Sequence, residues 1–156
     1  MKKLFFVLSM FLSLSLNAQN TPELYNYSGT VVRVYDGDTI WVDLDLGFNV
    51  TLNNVKIRLF GINTPEIRTK NDLEKQAGKL LEDWVRSTIL GKKVVLSTHK
   101  DGQSKYGDYL GTIWIDGVNL NEYIAVNKLA HRYYGNTKVP FSNQELEYIL
   151  YYQWGL

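Results

Sequence analysis

Two aspartates flank a glycine in Tyr35-Asp36-Gly37-Asp38-Thr39. Gly37 allows a tight turn, and carboxylates on a turn are the hard oxygen donors that Ca²⁺ or Mg²⁺ takes. The same residues suit a plain β-turn, for which Asp-Gly is a common signal. A second cluster is Arg58-Leu59-Phe60-Gly61-Ile62-Asn63-Thr64-Pro65-Glu66. It leads from a strand pattern into a loop stiffened by proline. Arg58 offers a planar fork that matches a phosphate. Asn63 and Thr64 add neutral oxygens for a cation, and Glu66 can hold a water or take its proton. Read singly, Arg58 also suits a surface ion pair and Glu66 a solvated loop. A third cluster, Lys105-Tyr106-Gly107-Asp108-Tyr109-Leu110-Gly111, sets a lysine and tyrosines beside a glycine turn. That combination suits a backbone phosphate and a stacked base as well as an ordinary hairpin.

The rest of the composition narrows the chemistry. The chain has 156 residues and no cysteine, so disulfides, thiolate zinc sites and a cysteine nucleophile are excluded. His99 and His131 are the only histidines, which excludes a multi-histidine metal centre. Both read as structural or solvated residues. Any metal therefore sits on oxygen. Residues 1–18 read as a signal peptide: Lys2 and Lys3, an apolar run from Leu4 to Leu16, and a small residue, Ala18, at the expected cut. That run is shorter than the about 20 residues that span a bilayer. Removing it takes the formal net charge from +1 to −1. Affinity for a polyanion must then come from a local site and a bound cation, with no broad positive field to supply it.

The elements that must position these clusters follow from periodicity. After a short lead-in over 19–26, one domain is expected over 27–156. Thr30 to Tyr35 reads as a strand. In Thr39 to Leu46, Ile40, Val42, Leu44 and Leu46 alternate with Trp41, Asp43 and Asp45. In Val55 to Phe60, Val55, Ile57 and Leu59 face one way, while Lys56, Arg58 and Phe60 face the other. Asn71 with Glu74 predicts a capping box. The stripe Leu73, Ala77, Leu80, Leu81, Trp84, Val85 and Thr88 predicts a helix that ends at Gly91. Lys93 to His99 and Tyr109 to Ile115 read as strands, and Asn119 to Leu129 as a short helix. Ser142 with Glu145 predicts a last helix with Leu146, Ile149, Leu150 and Trp154 inward. Five strands with a helix between the third and fourth predict an α+β fold, a five-stranded OB-fold β-barrel with three helices.

The three clusters, in this order and spacing, resemble the staphylococcal nuclease (thermonuclease) family. The likeness runs from about Val31 to Tyr134. It implies hydrolysis of DNA and RNA with Ca²⁺, leaving 3′-phosphate ends. It implies that Asp38 and Asn63 stand at metal-ligand positions, and that Thr64 is a ligand through its carbonyl. Glu66 falls on the residue that positions or deprotonates the attacking water. Arg58 falls on one of two arginines that stabilise the phosphate charge. Lys105 and Tyr106 fall on residues that hold a terminal phosphate, and Tyr133 and Tyr134 lie near the base pocket. Two residues depart from the pattern. Asn63 replaces an aspartate, and Asp108 stands where the second arginine is usual. Arg132 or Arg68 could replace that arginine, or Asp108 could join the metal site. The expected partner is single-stranded or denatured nucleic acid, bound by a monomer that is periplasmic or secreted.

Overall fold

The computed structural model describes residues 25–103 and 108–154. The leader over 1–18, nearly all of the lead-in, and Lys105 and Tyr106 lie outside the described residues. The chain order is β1 (Asn26–Asp36), β2 (Thr39–Asp45), β3 (Thr51–Leu59), β4 (Gly61–Asn63), α1 (Asp72–Ile89), β5 (Lys93–Gln103), β6 (Tyr109–Ile115), β7 (Val118–Asn119), α2 (Leu120–Val126), β8 (His131–Tyr133) and α3 (Asn143–Leu150).

Five long strands form the barrel. Their order is β3-β2-β1-β5-β6, and β6 returns to pair with β3, which closes the sheet. The closing pair is parallel, joining Ile57, Arg58 and Leu59 to Tyr109, Leu110 and Gly111, whereas the other strand pairs are antiparallel. The expected OB-type α+β fold is therefore present. The alternation read from sequence holds: Ile40, Val42, Leu44, Val55, Ile57 and Leu59 are buried and fill the barrel. Leu46 is the exception. It lies past the end of β2 on the hairpin to β3 and is exposed, because the strand's pleat no longer faces the core there.

Strand β1 begins at Asn26, earlier than its β-branched run suggests, because residues 26–30 pair with Ser97 to Lys93 of β5. Its register with β2 slips between Val34 and Asp36. Such bulges increase local twist and re-aim side chains; this one skips Tyr35, and Asp36 pairs with Thr39 across the Asp-Gly-Asp corner.

Helix α1 covers one end of the barrel through Ala77, Leu81, Val85 and Ile89, with Leu73 and Trp84 packed partly against the core. The predicted capping box at its start is half formed. Asn71 Oδ1 accepts the N–H groups of Leu73 (3.0 Å) and Glu74 (3.2 Å), but Glu74 does not return to Asn71. Its Oε1 takes the Glu66 N–H at 3.3 Å instead. Helix α2 stops at Val126, short of the predicted Leu129; Asn127 Nδ2 donates to the Tyr123 carbonyl at 2.8 Å, and Lys128 adopts a left-handed φ of 58°. Helix α3 has the complete Ser142–Glu145 capping box and buries Leu146 and Ile149, while Trp154 lies beyond its end.

One buried side chain locks these layers together. Asn121 Oδ1 accepts the Ile113 N–H at 3.0 Å, and its Nδ2 donates to the carbonyls of Phe60 (2.9 Å) and Gly111 (3.0 Å). It ties α2 to the strands that close the barrel.

Candidate functional site

The site lies where β1 turns into β2 and β3 runs into β4. Gly37 lets this corner sit against the next loop: a Cβ there would stand 2.8 Å from Leu81 Cδ2 and 2.9 Å from Thr64 Cγ2. Asp38 follows it and is only 2% exposed. A carboxylate so buried needs partners, and it has four. Oδ2 accepts the Thr64 N–H at 2.9 Å and the Thr64 hydroxyl at 3.1 Å. Oδ1 accepts the Thr39 hydroxyl at 3.2 Å and is bound by Arg58 Nη1 in a salt bridge. Arg58 Nη2 donates to Asn63 Oδ1 at 3.2 Å. Thus Asp38, Arg58, Asn63 and Thr64, separated by up to 26 residues in the chain, converge in one place.

Asp36 is the second acid of the corner. Its Oδ1 accepts the Asp38 N–H at 3.1 Å. Burial pushes its carboxyl up to about 7, helped by the negative charge of Asp38. Two carboxylates pressed together away from water repel each other, and a cation between them would relieve that repulsion. All the donors present are oxygens: Asp36, Asp38, Asn63 and Thr64. This set fits a hard divalent cation. Among the described residues no group of three or more acidic, histidine or cysteine side chains could hold a metal, so the ligands carry little charge. The expected affinity is correspondingly low.

Glu66 lies just past Pro65. The loop rests on α1 at Gly78, where a Cβ would come within 2.7 Å of the Pro65 carbonyl oxygen. Glu66 is exposed, its backbone is held by Glu74, and its Oε1 accepts a hydrogen bond from Lys138 Nζ at 2.7 Å.

β4 pairs with β8, setting Gly61 opposite Tyr133, Ile62 opposite Arg132 and Asn63 opposite His131. This pairing sets the predicted Tyr133 opposite Gly61, with Tyr134 next to it. Tyr134 lies against Gly61 and meets Phe60 edge-on at 5.5 Å between centroids. Phe60 in turn stacks on His99 at 3.7 Å. His99 also bonds the Thr112 hydroxyl at 3.1 Å, and burial lowers its pKa. His131 is likewise structural, stacked on Phe141 at 3.9 Å. Neither histidine reaches the acids of the corner.

The candidates for the missing arginine lie elsewhere. Arg132 is held by Glu122 of α2 through two bonds of 2.8 and 2.5 Å. Arg68 lies over the Tyr35 ring at 5.0 Å. Asp108 pairs with Lys56 at 3.0 Å, so its charge is directed at a lysine of β3. Sequence reasoning missed Lys138 and Glu74. Lys138 is 72 residues from Glu66, and no local pattern marks it. Glu74 was visible only as a cap.

The residues from 56 to 151 match the family model described as Staphylococcal nuclease homologue. The chain belongs to that family. It is similar to a thermonuclease of Staphylococcus hyicus, 33% identical over 100 residues, covering 64% of this chain and 56% of the relative. It is also similar to a thermonuclease of Staphylococcus intermedius (28% identical, 72% of this chain and 63% of the relative). An uncharacterized endonuclease of Escherichia coli O157:H7 is 36% identical over 97 residues, covering 62% of this chain and 54% of that protein. The chain thus spans between half and two thirds of the length of these relatives.

Proposed function

We propose that the chain is an exported, Ca²⁺-dependent nuclease that hydrolyses phosphodiester bonds of DNA, RNA or both, acting as a monomer on single-stranded or denatured strands. The observation that carries this reading is the convergence of buried Asp38, Asn63 and Thr64 beside Arg58, which binds Asp38 and Asn63 while Thr64 binds Asp38, at the head of the loop that delivers Glu66. Asp38, Asn63 and Thr64, with Asp36 beside them, would hold the cation. Ca²⁺, when bound, supplies Lewis-acid polarisation of the phosphoryl group. Arg58 has five N–H donors. Those not directed at Asp38, Thr39 and Asn63 can bind phosphate oxygens as charge builds on them. Glu66 orients water for in-line attack and takes its proton. Lys105, Tyr106, Tyr133 and Tyr134 hold the neighbouring phosphate and base, on the strength of the family pattern. Export is supported by the Lys2-Lys3 start and the apolar run ending near Ala18.

Denatured DNA incubated with the protein and Ca²⁺ should be degraded, and chelator should stop the reaction. The Glu66→Ala protein should be inert. Cleavage that persists in chelator or in Glu66→Ala would sink the reading.

Asp108, paired with Lys56 where the family pattern has an arginine, favours a second reading. This is a catalytically impaired module that binds nucleic acid or another ligand. Retention of single-stranded DNA without any cutting would select it.

A further inference from the structure

We infer that Lys138 is a positioning residue for Glu66, an inference that rests on the nuclease reading above. The ion pair is exposed on both sides, with 41% of the lysine side chain and 48% of the glutamate accessible. An exposed pair of that kind contributes at most ~1 kcal/mol, too little to fix a glutamate unaided. Here the lysine does not come from a free surface chain. It lies on the strap between β8 and α3, and that strap is tied down beside it. His131 Nδ1 meets the carbonyl oxygen of the adjacent Val139 at 3.2 Å. The same ring stacks on Phe141, and its Nε2 meets Glu145 Oε1 at 2.9 Å. Glu145 in turn closes the capping box with Ser142. One imidazole thus clamps the strap at Val139 and Phe141 and joins it to Glu145 of α3, and Lys138 emerges at the clamp.

Glu66 is fixed from the other side. Its loop rests on Gly78 of α1 and its N–H is taken by Glu74. That brings a second carboxylate close to Glu66, and Lys138 supplies the balancing charge. With Oε1 held by Lys138, Oε2 has no partner among the described residues and is the oxygen left to accept a hydrogen bond from water. Lys138 also places a cation at the reacting carboxylate in a chain whose position 108 is acidic. It acts through Glu66 and does not need to touch substrate.

The test compares Lys138→Met and Lys138→Arg with the unaltered protein in Ca²⁺-supported cleavage of single-stranded DNA. Lys138→Met should lower kcat by roughly 10- to 100-fold, the scale of a misplaced reacting group, with KM changed less than twofold. Lys138→Arg should recover most of the loss. A loss confined to KM would overturn the inference by making Lys138 a plain phosphate contact. An unchanged kcat would overturn it outright. A second readout does not depend on catalysis: the carboxyl ¹³C resonance of Glu66, assigned through Glu66→Gln. It should move in Lys138→Met and return in Lys138→Arg. If the unaltered protein cuts nothing while the resonance behaves so, the nuclease reading fails and the clamp stands. A resonance indifferent to Lys138 overturns the clamp whatever the activity.

Discussion

At the scale of single residues, the site is two ion pairs of different kinds. Asp38 is buried, and Arg58 satisfies one of its oxygens while Thr64 satisfies the other. Glu66 is exposed and can answer to water. The Arg58 fork is needed because it reaches Asp38 and Asn63 with separate nitrogens. A lysine could reach only one of them and offers a phosphate a point charge. Arg58→Lys should therefore lower kcat/KM by roughly 10²- to 10³-fold, the usual cost of removing one charge-stabilising donor. Steady-state cleavage of a single-stranded oligonucleotide would measure it, and a loss under threefold would refute the role. Short patterns marked Asp38, Arg58, Asn63, Thr64 and Glu66 as candidates, and the structure brings the first four together. The sequence did not show Lys138, since an ion pair between residues far apart in the chain leaves no local trace. Nor did it show that Asp36 would be held protonated up to about neutrality, because burial belongs to the folded corner and not to the residue.

At the scale of elements, α1 and α3 do different work for the site. Helix α1 supports the Glu66 loop, and Gly78 is the point of contact. Alanine is the better helix former by about 1 kcal/mol in a free helix. At position 78, however, its Cβ would meet a backbone oxygen at 2.7 Å, which cannot move without moving the loop. The clash should win. Gly78→Ala is expected to cost about 2 kcal/mol in urea unfolding, the scale of overpacking, and to lower kcat as Glu66 shifts. A stabilised, fully active variant would contradict this. Helix α3 is held by Glu145, whose carboxyl is kept at about 2, below the usual 4.5. The Ser142 N–H is the largest cause, followed by the Ser142 hydroxyl and His131. A depressed folded pKa stabilises the fold above the unfolded value and is lost as pH falls from about 4.5 towards 2. Glu145→Gln should thus lower Tm at pH 7 by a few degrees, for a loss of about 1 kcal/mol at the cap. Thermal scans at pH 2.5 should bring the two proteins closer. The Ser142 cap was legible in the sequence because its four residues are contiguous. The equivalent at Asn71 formed only by half, because Glu74 accepts the Glu66 N–H across the loop and the Asn71 N–H goes to Thr69.

At the scale of the whole molecule, the barrel was legible from the layout of strands and helix, and its filled interior from alternation. The strand order and the parallel pair that closes the sheet were not. Nothing in Tyr109 to Gly111 announces a parallel partner in β3, and the pairing depends on an asparagine from a third element. Asn121 satisfies three backbone groups in the interior. A leucine of similar size would leave one N–H and two carbonyls with a partner lost. Asn121→Leu should cost about 3 kcal/mol, given penalties of ~1–3 kcal/mol for an orphaned buried group. Urea denaturation would measure it, and a change below 1 kcal/mol would show that water replaces the side chain. Secondary structure should survive in the variant, since the antiparallel strands do not depend on that residue.

The pairing of β4 with β8 also sets when the proposed centre can be completed during synthesis. Asn63 is encoded early, but the strand that pairs with it is His131–Tyr133, and the partner of Glu66 comes later still. On the nuclease reading, a nascent chain carries its cation ligands before the centre is finished. Chains halted before His131 should show no cleavage in a ribosome-bound assay with Ca²⁺. Activity, on that reading, waits for the strand that pairs with Asn63.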